Sequence, residues 1–248
     1  MNETGKCQAA KAELRKALAT FGGDTKNEFV AAAIKKLSAP ALAMAPDRYG
    51  SLLEGKWLLI SAANFPDGEQ RSDGKWVFTL GRIAFNMFQP IELKVVIDRV
   101  LQPVLSLAGE QRSYDIIVEF TTVDERFPKL AGVVRNLGVC QPISDSVLQV
   151  KFKSGALEPQ VPNQINDWKA VFGKQRQSSN TSWKEKLSST IFQVMFGLVP
   201  PKGMNPETGE ISFTMHRSPK GSLKILYLDE ELRITRGERG TVLVCERQ

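Results

Sequence analysis

The apolar residues of this chain repeat at helical spacing as far as Leu37 and at strand spacing from Gly55 onward. This change of period limits what the chain can fold into. In the first part Ala9, Ala10, Leu14, Ala17, Leu18 and Phe21 fall on one helical stripe between Lys11, Glu13, Arg15 and Lys16, and Gly22-Gly23 supplies a left-handed stop. Thr25 with Glu28 three residues on has the form of a capping box. After it Phe29, Ala33, Ile34 and Leu37 repeat until Ser38-Ala39-Pro40 ends the pattern. Residues 1–50 therefore read as a helical hairpin and connector, and residues 51–248 as one β domain.

In the β domain, Trp76, Phe78 and Leu80 alternate with Lys75, Val77 and Thr79, and Tyr114, Ile116, Val118 and Phe120 with Asp115, Glu119 and Thr121. Leu148, Val150 and Phe152, then Ile211, Phe213 and Met215, then Leu223, Ile225 and Tyr227, and last Leu232 and Ile234, repeat in the same way. With further strands near Trp57, Val95 and Val244 the total is about eight to ten, a number at which an antiparallel sheet can close around side chains or one small ligand. Strand phase selects Trp57, Trp76, Phe78, Ile116, Val118, Phe120, Phe213, Ile225 and Tyr227 as walls of that interior. The same residues suit a solid core equally well.

The stretch 159–201 breaks the alternation and reads as a long mobile loop. Trp168, Lys169, Trp183, Lys184 and Lys186 mix indoles with cations, as side chains at a lipid headgroup boundary do, and are expected to face a membrane. Aromatics tucked back into the β domain are the alternative. Single-stranded nucleic acid would use similar side chains, but no paired-aromatic strand motif accompanies them, and nucleic acid is set aside as a partner.

Composition removes several chemistries. His216 is the single histidine, so a multi-histidine metal site or a histidine-dependent hydrolase has too little to build on. Cys7, Cys140 and Cys245 are odd in number and widely spaced, which argues against structural zinc and a disulfide framework and for a reducing compartment. Asp229, Glu230 and Glu231 are the obvious acids, but consecutive residues diverge and cannot flank one substrate. Neither catalysis nor a cofactor is expected. No apolar run reaches the ~18 residues that cross a bilayer, and the N-terminus lacks the pattern of a secretory signal. With 33 basic and 27 acidic residues the net charge is +6, which favours anionic surfaces.

The C-terminal block YLDEELRITRGERGTVLV (Tyr227 to Val244), together with Gly55-Lys56-Trp57 and LGRIAFNMFQP (Leu80 to Pro90), resembles the plastid lipid-associated protein (fibrillin) family, in a cyanobacterial form. The resemblance covers about Leu52 to Val244 and is weaker between Pro159 and Pro201. It implies a mainly β protein: a lipocalin-like antiparallel β-barrel that binds a small lipophilic molecule (carotenoid, quinone or lipid). It also implies peripheral attachment to thylakoid membrane or lipid globules, on the cytoplasmic side in a cyanobacterium, and a role in photoprotection or stress. A solid-cored accessory protein that docks an enzyme or photosynthetic complex is the alternative. Gly55, Trp57, Asp229, Arg233 and Arg236 stand at positions of the family pattern, whereas Ser38-Ala39-Pro40-Ala41 replaces the Asn-Pro usual in plant members. An arginine across from Trp57 would close the barrel base by a cation-π contact. Strand parity favours Arg236, which shares phase with Leu232 and Ile234, while Asp229-Glu230 reads first as a hairpin turn.

Overall fold

The computed structural model describes residues 3–38, 49–173, 198–199, 201, 203–217 and 220–248. The chain begins with helices α1 (Glu3–Thr20), α2 (Glu28–Leu37) and α3 (Tyr49–Leu53). Strands β1 (Gly55–Leu59), β2 (Glu69–Gln70) and β3 (Trp76–Thr79), helix α4 (Leu80–Ile83) and strands β4 (Lys94–Val104), β5 (Arg112–Ser113), β6 (Ile116–Thr122), β7 (Ala131–Ser144) and β8 (Val147–Pro159) follow. A 3-10 turn (Pro162–Gln164), helix α5 (Ile165–Phe172) and strands β9 (Leu198–Val199), β10 (Ile211–Met215), β11 (Lys220–Leu228), β12 (Leu232–Gly237) and β13 (Val242–Arg247) complete it.

All strands belong to one antiparallel sheet, so the protein is mainly β with a helical N-terminus. The pairings run β7-β6-β4-β1-β13-β12-β11-β8, and β8 pairs again with β7, which makes the sheet partly ring-like. β8 is long enough to serve two neighbours on one edge. Its Val147–Lys151 half pairs with β11, and its Ser154–Leu157 half with β10. On the far side β4 divides likewise between β1 and β3.

Two apolar clusters fill the inner side. One gathers Trp57, Tyr114, Cys140, Val150 and Ile225; the larger gathers Phe78, Val118, Phe120, Leu157 and Phe213. Leu59 and Phe152 pack against both, so the two are continuous. A third cluster lies outside the ring. There Leu14, Leu18, Val30 and Ile34 of the helical hairpin cover Tyr227, Leu232, Ile234 and Val244. An amphipathic hairpin buries its stripe in this way against a sheet face that is apolar on its outer side.

Local chemistry explains the hairpin. Its turn uses Gly23 in the left-handed region at φ 77°, and a Cβ there would lie 2.4 Å from the Ala62 nitrogen, which donates to the Gly23 carbonyl at 2.8 Å. Only glycine allows that approach. The α2 cap is Asn27, whose side chain accepts from the Phe29 amide at 3.0 Å; Thr25, the expected cap, instead donates to the Val242 carbonyl at 3.4 Å. Both residues are turn formers, and docking on β13 recruits the earlier one.

Residues 165–172 are helical rather than a mobile loop. Trp168, expected at a membrane surface, is fully buried in the larger cluster, with its indole nitrogen donating to the Gly209 carbonyl at 2.9 Å. The cause is periodic: Trp168, Val171 and Phe172 form the apolar face of α5, which is better covered by the sheet than exposed. Lys169 is half-buried on the same helix. Trp183, Lys184 and Lys186 lie outside the described residues.

Candidate functional site

The most unusual chemistry lies in the smaller inner cluster, where strands β1, β4, β12 and β13 meet. Trp57 pairs in register with Gln102 on β4 and with Arg247 on β13, and Arg233 on β12 pairs with Cys245. These ladders bring an indole, a guanidinium and a carboxamide together, all of them buried. The Trp57 ring nitrogen donates to the Leu53 carbonyl at 2.9 Å, which ties the indole to the end of α3.

Arg233 is 1% exposed. Its guanidinium carbon stands 4.9 Å from the centroid of the Trp57 ring and 5.8 Å from that of Tyr114. Nη2 donates to Gln102 Oε1, while Nε and Nη1 have no hydrogen-bond partner. An arginine remains charged in any protein environment, so this is a full positive charge taken out of water and answered by two aromatic rings, one neutral amide and the Cys245 thiol. A second guanidinium, Arg247, lies 4.3 Å from the same Trp57 centroid, donating to the carbonyls of Leu52 at 2.5 Å, Glu54, and Glu230 at 2.6 Å. Gly55 opens β1 at φ 131°, against the Arg247 side chain.

Apart from Arg247 on the same indole, the ionisable side chains near Arg233 are neutral. Burial pushes the Tyr114 phenol up to about 12 despite the opposing charge of Arg233, and its hydroxyl has no partner. Burial likewise raises the Cys140 thiol to about 11, against Arg112 and Arg233, and raises that of Cys245, against Arg233. Among the described residues no group of three or more His, Cys, Asp or Glu side chains is placed to hold a metal.

The residues named from strand phase divide. Trp57, Phe78, Val118, Phe120, Phe213 and Ile225 are buried in the inner clusters, with Ile116 half-buried against the larger one. Trp76 is 44% exposed, because Val77 and Phe78 are the buried pair on β3 and Trp76 stands at its solvent end. Tyr227 lies under α1 on the outer face. The register slips between Ile225 and Tyr227, and this bulge at Leu226 reverses the phase, so Ile225 and Leu228 point in while Leu226 and Tyr227 point out.

The inward arginine is Arg233 rather than Arg236, which is exposed. Parity misled because both faces of β12 are buried: Leu232 and Ile234 face the helical hairpin, and Arg233 and Thr235 face inward. Asp229 is a turn residue, accepting from the amides of Glu231 at 2.9 Å and Leu232 at 2.7 Å. It also clasps the hairpin, receiving the Tyr227 hydroxyl at 2.6 Å and Lys11 Nζ at 2.9 Å. His216 is exposed.

Sequence reasoning missed Gln102, Tyr114 and Lys11 as members of these sites. Gln102 carried a signal, a polar side chain between Leu101 and Val104 on an otherwise apolar strand end. Lys11 carried none, since a cation on an exposed-looking helix face is ordinary.

These features define a mainly β protein whose partly ring-like sheet buries an indole against a guanidinium and is covered outside by a helical hairpin. The chain belongs to the PAP_fibrillin family, whose model matches residues 22–246. That family is one of plastid lipid-associated proteins and is generally non-enzymatic. No curated protein and no solved structure matches the chain. No helix among the described residues is long and apolar enough to cross a membrane.

Proposed function

We propose that the strands form a lipocalin-like barrel whose interior takes up one small lipophilic molecule, a carotenoid, quinone or lipid, without catalysis. The observation that carries this reading is the continuity of the interior: the pairings return to β7 around two apolar clusters that share Leu59 and Phe152. Removing ~300 Å² of ligand apolar surface from water supplies roughly 7 kcal/mol before ordering costs, enough for useful affinity. The net charge of +6 supports reversible attachment to an anionic membrane surface. Membership in a lipid-associated family supports a thylakoid or lipid-globule setting, on the cytoplasmic side in a cyanobacterium, and a part in photoprotection or stress.

A second reading, a solid-cored accessory protein that docks an enzyme or photosynthetic complex, is favoured by the near-zero exposure of Val118, Phe120, Val134 and Leu157 in the interior. Titration with a fluorescent polyene fatty acid separates the two. Saturable quenching of tryptophan supports the carrier; no saturable change, with a stoichiometric partner recovered from membranes, supports the scaffold. Attachment is tested by exchanging Lys184 and Lys186 for Glu, which should weaken pelleting with anionic liposomes in low salt; unchanged pelleting counts against that segment as anchor.

A further inference from the structure

We infer that Arg233 and Tyr114 form a buried receptor for one carboxylate, borne by a long-chain amphiphile whose tail runs through the interior; this rests on the ligand-binding reading above.

The argument starts from what the protein itself leaves unpaired. Two of the three guanidinium nitrogens of Arg233 and the Tyr114 hydroxyl lack partners, although the residues are 1% and 3% exposed. Buried polar groups are nearly always satisfied, and an exception in a native structure calls for a partner such as a water or an ion; water would satisfy the donors here but would not balance the charge. All three orphan atoms can donate a hydrogen bond, and the hydrogen bonds Arg233 does make go to neutral groups, the Gln102 amide and the Cys245 thiol. The occupant is therefore an acceptor, and it balances one positive charge.

A carboxylate fits both conditions. It is monoanionic and terminal, whereas a phosphate monoester carries nearly two charges and a phosphodiester, though singly charged, brings a second substituent that the apolar surroundings would also have to hold. Its two oxygens accept from several donors at once. The rest of the molecule must be apolar, because the side chains that surround Arg233, Val150, Ile225 and Leu228, and beyond them Leu59 and Phe152, are hydrocarbon and an aromatic ring. Trp57 stacked on the guanidinium holds it in place without consuming its donors.

The test uses the full chain, cis-parinaric acid and its methyl ester, each followed by tryptophan quenching. The wild type should bind the acid roughly 10- to 100-fold more tightly than the ester, as charge-assisted hydrogen bonds provide. Arg233→Met should abolish that preference while leaving ester binding in place. Tyr114→Phe deletes only a hydroxyl without a partner, so it folds whether or not the arginine variant does; it should weaken the acid about 2- to 10-fold and leave the ester unchanged. Equal binding of acid and ester, insensitive to both substitutions, would overturn the inference and leave lipophile uptake standing. Binding of neither would remove both. A site that acetate fills as well as the long-chain acid does would overturn the amphiphile as its source.

Discussion

Arg233 and Trp57 lie with guanidinium and indole 4.9 Å apart, both almost wholly out of water. A desolvated contact of this kind contributes about 2 kcal/mol, and the Trp57 hydrogen bond to Leu53 adds about 1 kcal/mol. Trp57→Phe should therefore lower unfolding free energy by about 1–3 kcal/mol, and Trp57→Ala by about 3–5 kcal/mol because it also leaves a cavity. Urea denaturation measures both. A Trp57→Ala variant as stable as wild type would show that the indole closes nothing.

Two carboxylates of the turn between β11 and β12, Asp229 and Glu231, hold the helical hairpin, and Asp229 is the more buried of the two. Asp229 receives four donors, from Lys11, Tyr227 and the amides of Glu231 and Leu232. Asp229→Ala leaves both turn amides without their acceptor and takes one partner each from Lys11 and Tyr227, which keep Glu231 and Cys7, and should cost about 3 kcal/mol, whereas Lys11→Met removes one donor and should cost about 1 kcal/mol. Amide exchange in α1 should quicken in the same order, and equal effects would argue against Asp229 as the anchor.

The pH dependence follows from the same groups. Burial works against the Asp229 charge, but Tyr227 and Lys11 outweigh it and hold its carboxyl below the usual range; Arg126 holds the Asp124 carboxyl well below. Their contribution is present above the unfolded carboxylate value of ~4 and is lost as pH falls through the depressed native values. Asp115, raised mainly by burial, acts in the opposite sense. On the alkaline side, burial alone would lower Lys11, but Asp229 and Glu231 hold it above its ordinary value. Its contribution is complete below ~10.4 and is lost as pH rises through the native value. Asp124→Asn should flatten the acid limb of the stability profile and leave the alkaline limb unchanged.

Gly132 on β7 makes room for α5. A Cβ there would come within 2.5 Å of the Phe120 ring and 2.7 Å of the Trp168 indole. Gly132→Ala should cost about 1–3 kcal/mol by overpacking and shift Trp168 emission toward the red. An unchanged emission spectrum would mean that the helix adjusts freely.

The helical hairpin and the change to strands were legible because both follow from period alone. Trp57 and an arginine partner were legible as a pair of types, but not which arginine. Arg233 and Arg236 differ by the side of β12 they take, and that depends on a helical hairpin more than 190 residues earlier covering Leu232 and Ile234. Tyr227 was misplaced because a bulge at Leu226 leaves no mark in the alternation. Trp168 was misplaced because an amphipathic helix beside basic residues reads alike whether a bilayer or a sheet covers it.

Energy transfer from the interior indoles to cis-parinaric acid tests the central claim most directly. Of the four tryptophans, Trp57 and Trp168 are buried in the inner clusters, so the measurement is made with Trp76 and Trp183 both replaced by Phe. An interior enclosed by the strands predicts transfer that saturates at one ligand per chain; transfer that never saturates, or is absent while the protein remains folded, would contradict it.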